Sequence, residues 1–472
     1  MSAATGTLLG PAEVPAADAG GSTPAAYRFE LVKLLSQWRL RIVLLACWIA
    51  PGLFVAAVGR QSALPSDTLF GRWMHATGWA GALVVLGFCC SWALPLLTSL
   101  VAGDAFAAED RLGTWRHLVM AVRSPRRIFV AKVLASTSVI LVMVLGLAAS
   151  GTVGGLLSAG SRPLVGLDGH ILTPGAAAVR LLLAWAVVLA PTLAFAGVGL
   201  LGSVALGRSP MGLLVPAVLA FALQLLRLLP LPVPLRLALP SEAFLAWHGL
   251  FTDPAQLGPL WIGVAVALAW AVVATGAAYL LFVRRDFTNL ANDGSARRAV
   301  VGGVLPLVAL LGLTAVTLAA AMPGAADGHG SGITAPKVEE ALATSFGHLY
   351  RLQARELHRP DVTEAQLATS ATCDRGAASV PGDGDGEGDR VTDNGAGDDW
   401  RCVVSWHIPG AQAVGSATYQ LDVTAEGRYV ADGDGPKEVN GTFWVRTATG
   451  DAPNPLWQID GTLDLLPPAS QH

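Results

Sequence analysis

The chain has 472 residues, 53% hydrophobic and only 14% charged, with a formal net charge of −3 at neutral pH. A soluble chain carries about 25% charged residues, so a water-soluble globular protein is excluded, and no nucleic-acid partner is expected. Several apolar runs approach or exceed 18 residues, the length of a membrane-spanning helix, and the ~10-residue alternating segments of a β-barrel are absent.

The class is therefore a polytopic α-helical membrane protein. Four lysines stand against 27 arginines, amid abundant alanine and glycine, which reads as the codon bias of a GC-rich bacterial genome. Residues 1–26 are rich in Ala, Gly, Pro, Ser and Thr and lack the basic n-region of a signal peptide; they are expected to be disordered. In residues 27–39, Leu31, Leu34, Leu35 and Trp38 recur at helical spacing, one apolar stripe of a helix. It reads either as an interfacial helix on the lipid bilayer or as the polar start of the first span.

Seven spans are expected, at about residues 40–58, 78–101, 128–156, 176–206, 211–229, 260–283 and 299–322. The domain plan is six core spans over 40–285, a cytoplasmic loop over 286–298, a seventh span over 299–322, a linker over 323–335 and an external domain over 336–472. With the N-terminus inside, the inner segments hold fifteen Lys and Arg residues and the outer ones six, the asymmetry of the positive-inside rule. The C-terminal region is then extracytoplasmic, where Cys373 and Cys402 are able to form a disulfide. Cys47, Cys89 and Cys90 lie in apolar runs and read as packing residues.

The loop between spans five and six, residues 229–259, is proline-rich yet apolar. It reads equally as short re-entrant helices, with Ser241-Glu242 as a helix start, or as a greasy interfacial loop. The external region reads as a small α+β domain: a helix over 337–357, then strands over 401–408, 417–424, 428–431, 442–447 and 456–466, with a turn at 425–427. The Gly/Asp-rich stretch 380–399 reads as a flexible loop and lacks the strict nonapeptide of calcium-binding repeats. Trp400, Trp406 and Trp457 read as sheet core ahead of ligand contacts.

Catalytic motifs are scarce. There is no phosphate-binding G-x-x-x-x-G-K-[ST] loop, no H-E-x-x-H, and no G-x-S-x-G. Carboxylates within the spans are nearly absent, which argues against a proton-coupled carrier. Gln224 and Arg227 are the main polar candidates of the fifth span.

The most informative stretch is residues 104–132. Leu112, Trp115, Leu118, Val119 and Val122 form an apolar stripe on a short helix, flanked by Arg111, Arg116, His117 and Arg123. Glu109 and Asp110 are expected at its start, favourable to the helix dipole. Ser124 and Pro125 read as the N-cap and first residue of the next span. The result is an elbow of helix, break and new helix. The bland alternative is a loop whose basic residues merely satisfy the positive-inside rule.

Glu109-x-x-x-Gly113-Thr114, then Ser124-Pro125-Arg126 and Lys132, resembles the permease subunits of type-2 ABC (ABC-2) transporters over residues 27–285. The resemblance implies that Glu109, Arg111, Gly113, Thr114, Trp115, Arg116, Ser124, Pro125 and Arg126 contact a separate ABC ATPase subunit. It implies an exporter in the cell membrane, paired with a second permease subunit. Its path runs between the halves, lined by the second and fifth spans. ATP and Mg would be bound by the partner, so the chain itself is not expected to be an enzyme. The seventh span and external domain depart from the family's six-span layout. The alternative is a membrane-anchored envelope sensor or interaction protein that acts through its external domain.

Overall fold

The computed structural model describes residues 22–60, 77–122, 124–206, 211–226, 229, 231–285, 296–322, 331–375, 394–408, 410, 413–448 and 450–466. Helix α1 (Thr23–Ser36) begins inside the stretch expected to be disordered and is followed at once by α2 (Trp38–Val58). Then come α3 (Gly78–Leu112), the short α4 (Trp115–Val122), α5 (Pro125–Ala159), α6 (Pro174–Leu206) and α7 (Met211–Leu226). A one-turn helix α8 (Val233–Leu237) precedes α9 (Leu257–Val283) and α10 (Val300–Ala321).

Among the described residues six helices, α2, α3, α5, α6, α9 and α10, are long and apolar enough to cross a membrane, so the chain is a multi-pass membrane protein. The expected fifth span is α7, a helix of 16 residues, shorter than the ~20 that a span needs. Ala205, near the end of α6, lies against Gly303 at the start of α10, and the carbonyl of Leu223 in α7 accepts the Ser241 hydroxyl (2.9 Å).

The expected second span, 78–101, is corrected. Helix α3 runs on to Leu112, with one π-helical turn at Cys89–Ala93. The extension holds because its inward face is apolar, with Ala102, Ala105 and Phe106 buried. Its carboxylates meet cations from other helices, described below. Helix α3 ends where Gly113 adopts φ +66°, a left-handed conformation that glycine takes without strain. Cys47, Cys89 and Cys90 are buried thiols.

The stretch 231–256 is ordered into short helices rather than a loose loop. It forms α8 and two 3-10 turns, Glu242–Phe244 and Ala246–Phe251, that insert Phe244, Trp247 and Phe251 into the main core. Buried Arg236 pairs there with Glu242 (2.7 Å). Ser241 precedes the first 3-10 turn, but its hydroxyl reaches back to α7 rather than capping. Between α5 and α6 a hairpin that the sequence did not reveal pairs β1 (Leu164–Val165) with β2 (Ile171–Leu172).

The C-terminal domain has its own core. Helix α11 (Ala335–Glu356) and the short α12 (Glu364–Leu367) lead into β3 (Ser370–Arg375), β4 (Gly397–His407), β5 (Val414–Val423) and β6 (Arg428–Gly435). A separate hairpin of β7 (Trp444–Thr447) and β8 (Gly450–Pro453) precedes β9 (Gln458–Thr462). The main sheet is antiparallel in the order β3-β4-β5-β6-β9. Residues 425–427 make the β5–β6 turn, closed by Thr424 N–H to the Arg428 carbonyl (2.8 Å).

Phe346 of α11 packs on Trp406 (4.9 Å between ring centroids) and Tyr419 (6.2 Å). Trp400 and Trp406 are buried and Trp457 is half-buried against Phe443 (4.9 Å). Cys373 and Cys402 are direct cross-strand partners on β3 and β4 and form a disulfide, S–S 2.02 Å. The loop expected at 380–399 lies largely outside the described residues, and residues 397–399 already belong to β4.

Candidate functional site

The 104–132 stretch folds at the end of the bundle that carries α1. Glu109 and Asp110 stand in the last turn of α3, not at the start of α4. That corrects the dipole argument, because a carboxylate at a helix C-terminus is disfavoured. Cations offset the cost. The Glu109 carboxylate is 1% exposed and accepts Lys132 Nζ of α5 (2.8 Å), Lys33 Nζ of α1 and the Thr114 hydroxyl. Lys132, 3% exposed, also donates to Glu30 of α1 (2.9 Å). Two carboxylates and two ammoniums, all buried except the half-buried Lys33, thus form one network that joins α1, α3 and α5.

A second link lies beside it. Asp110 accepts the indole N–H of Trp115 (2.6 Å) and the Arg285 guanidinium, whose Nη1 lies 3.3 Å from Oδ2. Buried Trp115 stacks on Phe106 (6.1 Å, 21° between planes) and packs on Phe282 of α9 (5.3 Å). Lys132 Nζ sits 5.8 Å and the Arg285 guanidinium carbon 5.4 Å from the Trp115 ring, both within cation–π range. Trp115 therefore fixes the start of α4 to α3, α5 and the end of α9 together.

The remaining expected site residues divide by exposure. On α4, Leu118, Val119 and Val122 face the core, whereas His117 and Met120 (61% exposed) face out. Leu112, assigned by periodicity to the α4 stripe, instead ends α3 and is 63% exposed. Arg111 is exposed and 3.8 Å from Asp104. Arg126 is exposed on the first turn of α5. The side chain of Arg116, and Arg123 as a whole, lie outside the described residues. Pro125 is the first residue of α5 and Ser124 precedes it, with no side-chain capping bond; its carbonyl accepts Ile128 N–H (3.2 Å).

The N-terminal stripe is also corrected. Trp38 belongs to α2, and α1 turns its polar side inward: Glu30 is buried and Tyr27 Oη meets Ser138 Oγ (2.9 Å). Leu31 and Leu34 are half-buried, while Leu35, Trp38, Phe29 and Val32 are exposed. An inward polar face and outward apolar face suit a helix whose outer side meets lipid. Between α1, α4 and α5 lies a cavity of about 520 Å³, lined by Glu30, Lys33, Glu109 and Thr114 on one side and by Phe29, Leu118, Val122 and Ile128 on another.

Sequence reasoning missed Glu30, Asp110 as a link to Arg285, and the pairing role of Lys132. One signal was available for Lys132: an ionisable residue inside an apolar run needs a buried partner. Gln224 is buried on α7, and neither of its amide atoms has a hydrogen-bond partner among the described residues. Arg227 lies outside them. Searches against protein families and against curated proteins found no match to this chain.

Proposed function

We propose that the chain is the membrane-spanning permease subunit of an ATP-binding-cassette transporter of the ABC-2 type, an exporter driven by a separate ATPase subunit. The partner binds ATP and Mg and performs the hydrolysis, and a second permease subunit completes the transporter. The N-terminus lies in the cytoplasm of a bacterial cell and the C-terminal domain outside the cell membrane. That orientation rests on the excess of Arg and Lys at the α1 end and on the Cys373–Cys402 disulfide at the other.

The observation that carries the reading is the seating of α4. It is a short helix between two spans of 35 residues each, anchored by Trp115 on one side and presenting His117 and Met120 on the other. A partner that pushes on this exposed side acts on α3 and α5 at once. The test is co-purification with an ATPase encoded beside this gene. Met120→Asp and Arg126→Glu alter exposed positions and should abolish both co-purification and stimulation of ATP hydrolysis while leaving thermal unfolding unchanged. An intact, fully stimulated complex with both replacements refutes the docking assignment. Trp115 is unsuited to this test, because its loss would damage the buried network itself.

A further inference from the structure

At the opposite end, the external domain rests on the loops between spans through a cluster of ionisable groups. Asp168, between β1 and β2, is its centre. One carboxylate oxygen meets His170 Nδ1 and the His170 backbone N–H (3.2 Å). The other accepts the Asp253 backbone N–H (2.7 Å), just before α9. Arg180 of α6 reaches His170 Nε2 (3.1 Å) and the carbonyls of Leu250 (2.9 Å) and Thr252 (3.2 Å). A guanidinium only donates, so Nε2 of His170 accepts and the ring proton sits on Nδ1, toward Asp168.

His348 approaches from α11 of the external domain. Its Nδ1 lies 3.1 Å from the Asp168 carbonyl and 3.4 Å from the Asp168 carboxylate. Its Nε2 lies 3.5 Å from Glu364 of α12, which also holds Arg351 (2.7 Å). Its ring is 6.0 Å from that of His170. Tyr429 of β6 lies deeper under α11, hydrogen-bonded to Ser345 (2.9 Å). Next to His348, Leu349 packs over Gly169. Nδ1 of His348 thus faces Asp168 and Nε2 lies within ion-pair distance of Glu364, so the imidazolium is attracted from both sides. Among the described residues no group of His, Cys, Asp and Glu is arranged to hold a metal ion.

We propose that His348 is a protonation-sensitive clasp: charged, it bridges Asp168 of the α5–α6 loop and Glu364 of the external domain, and the domain loosens from the loops when His348 loses its proton. Burial works against the imidazolium. The hydrogen bond and charge of Asp168, with a smaller contribution from Glu364, outweigh it and hold the His348 pKa above its ordinary value. Burial likewise opposes the Asp168 carboxylate, but hydrogen bonds from His170, His348 and Asp253 keep it well below the usual carboxylate range. The docked state therefore binds the His348 proton more tightly than the released state. The clasp is complete below the ordinary histidine pKa of about 6.5. It is lost as pH rises through the higher docked value, and Asp168 stays ionised throughout this window.

The test is hydrogen exchange of the full chain in lipid nanodiscs at about pH 6 and pH 8.5, which bracket histidine titration, with labelling times scaled for intrinsic exchange. Amides of the 164–172 hairpin should lose protection several-fold at the higher pH while β4 and β5 do not change. His348→Gln should show the low protection at both pH values, with no step between them. Glu364→Gln removes the negative charge beside Nε2 at an exposed position and should move the step to lower pH. Equal hairpin protection of the wild type at both pH values, a step that survives His348→Gln, or an unmoved step in Glu364→Gln overturns the proposal.

Discussion

Replacement of Lys132 by Met tests the buried network most directly. The unbranched thioether fills much of the lysine stem's volume and keeps the contacts to Phe106 and Trp115 while deleting the ammonium. Two carboxylates, Glu30 and Glu109, are then left at 3% and 1% exposure, with Lys33 still on Glu109. Removal of one partner from a buried ion pair costs about 3–5 kcal/mol. Because Lys33 is 28% exposed at its side chain and remains in place, the lower end, about 3 kcal/mol, is expected. The double replacement Glu30→Gln/Lys132→Met leaves the Glu109–Lys33 pair neutral and should recover most of the loss, since substitution of both partners together is often close to neutral. The assay is thermal unfolding of detergent-purified protein, followed by the fraction that stays monodisperse. A Lys132→Met protein that unfolds with the wild type, or a double variant no more stable than the single one, would refute the network's role.

Two further outcomes follow from the packing. Cys373→Ser or Cys402→Ser should destabilise the C-terminal domain by about 3 kcal/mol, read as faster proteolysis within that domain while the membrane domain keeps its unfolding temperature. Gly155→Val should be far worse than a substitution on α10: a Cβ at Gly155 would lie 2.1 Å from the Gly78 carbonyl oxygen, whereas one at Gly312 meets nothing within 4 Å. Overpacking costs about 1–3 kcal/mol or more, so the yield of monodisperse protein should fall for Gly155→Val and hold for Gly312→Val.

The spans were legible because lipid demands long apolar runs and little else produces them. The α11 periodicity and the turn at 425–427 were legible for the same local reason. Features set by distant partners were not. The carboxylates at 109 and 110 suggested that the second span had already ended, because an apolar-run criterion cannot see Lys132 and Arg285 waiting inside. Glu30 and Lys132 are 102 residues apart, and Asp168 and His348 are 180 apart; no window of sequence contains either pair. Strands β1 and β2 have two residues each, too few for an alternation to register. Strand β3, SATCDR, is polar apart from its cysteine and alanine and is held by pairing with β4 rather than by its own pattern.

The geometry at the two ends of the bundle bears on the same helices. Helix α5 has 35 residues, about 52 Å at 1.5 Å per residue, well beyond the ~30 Å hydrocarbon core. It is therefore long enough to project from the membrane, and it connects the two clusters along the chain. Near its start, Lys132 is bound to α1 and α3 and faces Trp115 of α4. Its far end leads into the hairpin that carries Asp168. Helix α9 repeats the arrangement, with Asp253 just before it at one end and Arg285 just after it at the other. A displacement of α4 is resisted at Trp115 by contacts to α3, α5 and α9 together, so rigid movement of these helices is the low-cost response; buried pairs break only at several kcal/mol. That movement reaches the loops on which the C-terminal domain sits. A clasp at His348 is placed to oppose it when charged and to release it when neutral, so the proposed clasp would make the rate of any α4-driven motion depend on the pH at that end of the bundle.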